Sequence, residues 1–187
     1  MNYLFFDTET NSKYQTSARL IHLAFIKTDE TGKELQRFSE LVRPMGFQID
    51  NSEIHGITQE VALKNGVSAQ FAIHEFMAAL ANCSLLVAHN IDYDKKVVFN
   101  ELKALGLIKT HFNTLYNVPT LCTMQSSTAY CDIRDGGRER PKFPRLSELY
   151  KKLFDKEYPQ NHHALTDVEA AMHCFFELKE RKVILGA

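Results

Sequence analysis

Residues 85–88, LLVA, are apolar at every position and lie between two segments with helical signatures. A strand of that composition has no side suited to water, so it belongs in a sheet covered on both faces, as the buried strands of α/β folds are. The segment before it, 69–82, follows a capping serine at Ser68 and repeats Phe71, Ile73, Phe76, Met77 and Leu80 at helical spacing. The segment after it, 94–106, reads DKKVVFNELKALG and ends on the helix-closing Gly106.

Upstream, the pattern is one of strands. YLFF at 3–6, LIHLAFIKT at 20–28 and ELQRFSELVRP at 34–44 are rich in β-formers, and Thr31-Gly32 predicts a hairpin between the last two. Downstream of a short helix at 59–65, capped by Thr58 and stopped by Gly66, strands and helices alternate: a strand near 118–123 and helices at 146–154 and 166–182. The last helix should bury Val168, Ala171, Met172, Phe175 and Leu178. Three antiparallel strands followed by alternating helices and strands predict an α/β fold, with a mixed central sheet flanked by helices. At 187 residues and 44% hydrophobic content, the chain is expected to form a single domain over 1–187 with a sizeable core.

Several function classes drop out. No run of eighteen apolar residues exists, and MNYLFFDTE has neither the basic start nor the cleavage site of a signal peptide, so a soluble cytoplasmic protein without membrane contact is expected. Cys83, Cys122, Cys131 and Cys174 form no CxxC pair and are expected to be buried thiols. The net charge of -1 carries no global basic signal, so a polyanionic partner would have to be held by local patches or by metal ions.

Carboxylates recur where strands end. Asp7 and Glu9 follow YLFF one position apart, and alternate residues of a strand share a face. HNIDYD at 89–94 offers Asp92 and Asp94 at the next strand-to-helix junction, and NHHALTDVEA at 161–170 sets His162 and His163 ahead of a helix bearing Asp167.

The set DTET at 7–10, HGIT at 55–58, HNIDYD at 89–94 and HHALTD at 162–167 resembles the histidine-type DEDD exonucleases, the superfamily of the proofreading epsilon subunit of bacterial DNA polymerase III. The resemblance covers about residues 3–180 and implies a ribonuclease-H-like fold. Its DxE motif falls on Asp7 and Glu9. Its second motif ends on Asp94 rather than Asp92, with Tyr93 in place of the usual phenylalanine. Its HxAxxD motif takes His162, Ala164 and Asp167, which makes His163 a spacer, although two neighbouring histidines leave His163 as the alternative. DTETNS departs from the glycine-bearing DTETTG of many relatives.

The resemblance implies that Asp7, Glu9, Asp94 and Asp167 hold two divalent ions, Mg²⁺ or Mn²⁺. Asp7 would bridge both, Glu9 and Asp167 would serve the ion carrying the nucleophilic water, and Asp94 would serve the other. Hard cations of this kind prefer oxygen ligands, and a pair roughly 4 Å apart can clamp the entering and leaving oxygens of phosphodiester hydrolysis. His162, with an ordinary pKa of about 6.5, would take the proton of that water. Thr8 and Thr10 would lie by the terminal sugar, with the Thr8 backbone turned to the nucleotide, His55 against a base or phosphate, and Asn90 and Tyr93 near the penultimate nucleotide. His89 is expected to pack structurally.

The basic stretch RDGGRERPKFPR, 134–145, suits single-stranded nucleic acid, with Arg138 and Arg140 as phosphate contacts, or is a solvated loop. The activity implied is stepwise release of nucleoside 5′-monophosphates from 3′ ends of single-stranded DNA. The alternatives are an RNA-directed enzyme similar to oligoribonuclease or ribonuclease T, and a non-catalytic protein that binds strand ends. The sequence finishing at ERKVILGA shows no tail for docking a polymerase, so a free-standing enzyme is expected.

Overall fold

The computed structural model describes residues 1–12, 14, 16–134, 136, 139–158 and 163–184. Strands β1 (Asn2–Thr10), β2 (Leu20–Asp29) and β3 (Glu34–Leu41) come first. Helices α1 (Ser52–His55), α2 (Gln59–Asn65) and α3 (Ala69–Leu80) lead into β4 (Leu85–Ala88). Then follow α4 (Ile91–Ala104), α5 (Ile108–Asn117), β5 (Thr120–Cys122), the single turns α6 (Thr123–Ser126) and α7 (Thr128–Cys131), α8 (Leu146–Phe154) and α9 (Ala164–Glu180).

The sheet order is β3-β2-β1-β4-β5, antiparallel across β3, β2 and β1 and parallel across β1, β4 and β5. This is the mixed sheet the sequence predicts. All four residues of β4 are buried, because both faces of the sheet are covered. Alternation along β1 divides its side chains between two cores. Leu4 and Phe6 join Ile73, Phe76, Val97 and Val98 on the side of α3 and α4. Tyr3 and Phe5 join Leu149, Val168, Phe175 and Leu178 on the side of α8 and α9, where the Phe175 ring meets theirs edge-on at 5.4 and 5.2 Å.

Local expectations hold in most places. Thr58 and Ser68 cap α2 and α3 through the N–H groups of Val61 and Phe71. Gly106 follows α4 with φ 71°, as a helix-closing glycine should. Gly66 serves differently. Its φ of -72° is open to any residue, but an added Cβ would stand 2.5 Å from the Ala62 carbonyl oxygen and 2.6 Å from the Arg43 nitrogen. Cys122, Cys131 and Cys174 are buried free thiols, whereas Cys83 is only half-buried.

Phe71 departs from expectation. Two residues are about 200° of helix, so Phe71 points away from the face of Ile73 and is 48% exposed. Helix α5 was not expected at all, and β1 carries on past Phe6 to Thr10, so that Asp7 and Glu9 lie within the strand.

One buried carboxylate secures the scaffold. Glu101 of α4 is 1% exposed, takes a two-pronged ion pair from Arg19 at 2.7 and 3.1 Å, and accepts the Leu20 N–H at 2.9 Å. Glu101→Ala is expected to cost about 3 kcal/mol in chemical denaturation, since it strands a guanidinium and an amide together.

Candidate active site

Strand β1 outruns its parallel neighbour. Its ladder with β4 ends at Phe5–Val87, yet β1 runs to Thr10, so its last residues have no strand on that edge. The first turn of α4 lies there instead. Asp94 is 4% exposed, and its Oδ1 accepts both the Thr8 N–H at 3.1 Å and the Thr8 hydroxyl at 2.7 Å. A backbone donor that the ladder leaves over is thereby satisfied. The Thr8 backbone, expected to face a nucleotide, gives this N–H to Asp94, while Thr8 itself lines the cleft.

By the same alternation Asp7 and Glu9 point to the side of α9, whose first turn carries Asp167. One carboxylate oxygen from each of Asp7, Glu9 and Asp167 lies within 4.8 Å of the others. Asp94 stands across β1 from this trio. It lines, with Asp7, Asn90, Tyr93 and Asp167, a cleft of about 430 Å³.

Carboxylates packed this way resist ionisation. Burial, then the charges of Asp94, Asp167 and Glu9, hold the Asp7 carboxyl well above its ordinary range. Burial, then Asp167 and Asp94, push Glu9 up to about 8. Burial raises Asp94 to about 7 even against the two Thr8 bonds, which favour its charged form. A divalent cation would offset this repulsion, and an all-oxygen donor set suits Mg²⁺ or Mn²⁺ rather than a softer ion.

Tyr158 belongs to the cleft although no spacing rule points to it. Its hydroxyl, at the end of a side chain 9% exposed, donates a short hydrogen bond to Asp167 Oδ1. Burial, then that bond, hold the phenol far above its usual range. A donor fixed to a ligating carboxylate orients it, and losing such a donor typically weakens metal binding about 10–100-fold. Tyr158→Phe should therefore raise the Mn²⁺ concentration needed for half-maximal activity by about that factor, with thermal stability little changed.

The remaining expected residues are distributed unevenly. Thr10 and Tyr93 share a hydrogen bond of 2.8 Å between their hydroxyls, tying the end of β1 to α4. Asn90 is exposed at the cap of α4. His55 is buried at the end of α1, and its Nδ1 accepts the Ile57 N–H at 3.1 Å, the local backbone contact of a loop histidine. Asp92 is exposed and accepts from Gln125 at 3.3 Å, apart from the carboxylate trio. His89 is structural as expected, bridging Thr123 and the Pro144 carbonyl at 3.0 Å each, with burial depressing it to about 4.

His162 lies outside the described residues, as does Arg138. His163 caps α9, with its carbonyl accepting the N–H groups of Thr166 and Asp167. Its ring meets His22 edge-on at 4.7 Å. In the basic stretch Arg134 pairs with Asp132 and Lys142 with Glu148, each at 2.8 Å. Arg140 is exposed, and Arg145 lines the cleft.

A mixed sheet of this order, with acids from β1, α4 and α9 converging where β1 outruns β4, is the ribonuclease-H-like fold. Residues 4–175 match the RNase T family, described as exonuclease, and the chain belongs to that family. It is 27% identical over 181 residues to the PolC-type DNA polymerase III of Bacillus subtilis (strain 168), a match covering 94% of this chain and 11% of that protein. Among solved structures it resembles exonuclease I, with a TM-score of 0.80 at 19% identity over 97% of this chain and 42% of the other. E. coli exonuclease I in complex with a dA16 oligonucleotide superposes with a TM-score of 0.79 at 19% identity, covering 97% and 41%. The chain thus spans about a tenth of the polymerase and two-fifths of exonuclease I. Among the described residues, no helix is long and apolar enough to cross a membrane.

Proposed function

We propose that this chain is a single exonuclease domain, cytoplasmic, that releases nucleoside 5′-monophosphates from 3′ ends of single-stranded DNA with the aid of two divalent cations. The observation that carries the reading is the carboxylate trio of Asp7, Glu9 and Asp167 within 4.8 Å, with Asp94 across the strand lining one cleft with Asp7 and Asp167. Exonuclease I, solved with dA16 and dT13, lends support for single-stranded DNA as the polymer.

Asp7, Glu9 and Asp167 would hold one cation, and Asp94 together with Asp7 the second. Bound there, the pair supplies charge stabilisation to the entering and leaving oxygens of an in-line displacement. His162 takes a proton from the attacking water, as a group near neutrality can. Thr8 holds Asp94, Tyr158 holds Asp167, and the Thr10–Tyr93 link keeps α4 against β1, so the acids are set before substrate arrives.

The test is a pair of 5′-labelled oligonucleotides of one sequence, DNA and RNA, incubated with Mg²⁺, Mn²⁺ or EDTA. The reading expects a descending ladder on DNA that EDTA abolishes. A ladder on RNA alone would move the substrate to RNA, and no metal-dependent ladder on either would leave a strand-end binder.

A further inference from the structure

We propose that α4 and α5 form a stacking platform for single-stranded nucleic acid upstream of the cleft, made by the rings of Phe112 and Tyr116 with the ammonium groups of Lys95 and Lys96. The inference deepens the nuclease reading above by assigning a place to nucleotides beyond the terminal pair.

Helix α5 is built unlike a core helix. Of its ten residues only Leu115 is buried, while Phe112 and Tyr116 are 44% and 41% exposed. One turn apart, their rings are stacked on each other, 29° between planes and 4.6 Å between centres, and the pair remains partly open to solvent. Phe99 of α4 supports both edge-on at 6.5 and 6.0 Å.

Charge identifies the occupant. Lys95 Nζ lies 4.8 Å from the centre of the Tyr116 ring, and Lys96 Nζ lies 4.9 Å from that of Phe99. An apolar partner surface would have to desolvate both cations, whereas a nucleic acid strand brings bases for the rings and phosphates for the amines. Position agrees. Lys95 directly follows Asp94, and Asn90 and Tyr93 on the same first turn of α4 line the cleft. Lys95 and Lys96 lie round α4 from Tyr93 and Asp94, so a strand whose 3′ end lies among the acids would reach the platform by passing round the first turn of α4.

The experiment measures fluorescence anisotropy of fluorescein-dT12 and fluorescein-dT3 in EDTA, so that binding is read without cleavage and stands apart from the nuclease reading, which the ladder assay tests. The double variant Phe112→Ala/Tyr116→Ala should weaken dT12 binding about tenfold or more, given typical stacking contributions per base, and leave dT3 nearly unchanged. Lys95→Gln/Lys96→Gln should lower the slope of log affinity against log salt by about 1.4 for dT12. The ring-preserving Tyr116→Phe should bind like the wild type, which separates stacking from misfolding. Equal affinity of the alanine variant and wild type for dT12, or equal weakening for both lengths, overturns the platform. So does a wild-type protein that binds dT12 no better than dT3.

Discussion

Asp7→Asn should abolish metal-dependent cleavage and at the same time stabilise the metal-free protein at pH 8. The first effect follows from the place of Asp7 both in the trio and, with Asp94 and Asp167, on the wall of the cleft. Cations of this kind supply several kcal/mol to the transition state and each 1.4 kcal/mol is tenfold, so the loss should be on the order of 10³ or more. The second follows from electrostatics. Glu9 keeps its proton to about pH 8 in the fold, against an ordinary 4.5, and Asp94 to about 7, against 3.8. Between those values the folded chain holds protons that the unfolded chain has released, so stability falls as pH rises through the window and the penalty is complete above it. In EDTA the wild-type melting temperature should therefore decline from about pH 5 to pH 8. Asp7→Asn removes one raised carboxyl and one repulsive neighbour, so its melting curve should be higher at pH 8 and flatter with pH. Adding Mn²⁺ at pH 8 should raise the wild-type melting temperature and leave the variant nearly where it was. Differential scanning fluorimetry across pH, with and without metal, checks all three.

His162→Ala should lower the cleavage rate by about 10² to 10⁴, the usual contribution of a positioned general base, while His163→Ala should lower it far less. The geometry of His163 supports that contrast. Its carbonyl is committed to the first turn of α9, and its ring rests on His22, the cross-strand partner of Glu9. His22 is itself held neutral, with burial, then His163 and His55, depressing it to about 4. His163 thus has a packing contact with β2 that alanine would remove. Single-turnover rates on a labelled oligonucleotide at saturating Mn²⁺ would separate the two, and a larger loss from His163→Ala would reverse the assignment.

The parts of the site that follow a periodicity were legible in the sequence. Asp7 and Glu9 share a face because strands alternate, and the apolar LLVA run required helices on both sides of the sheet. What escaped reading lacks a period. Helix α5, IKTHFNTLYN, buries one residue, so no apolar stripe marks it. Tyr158 reaches Asp167 from the segment after α8, a tertiary contact with no local signature. The Thr8 N–H goes to Asp94 only because β4 stops short of the end of β1, and strand lengths are set by the whole sheet rather than by either segment alone. Phe71 was misplaced for a simpler reason, since its distance from Ile73 along the helix puts it on the opposite side.

The proposed nuclease activity requires Asp7, Glu9, Asp94 and Asp167 to share a pair of cations. Anomalous diffraction from crystals of the protein soaked in Mn²⁺ tests it most directly. Two peaks roughly 4 Å apart among these four side chains is the predicted result. Peaks elsewhere with none in this cleft would contradict it.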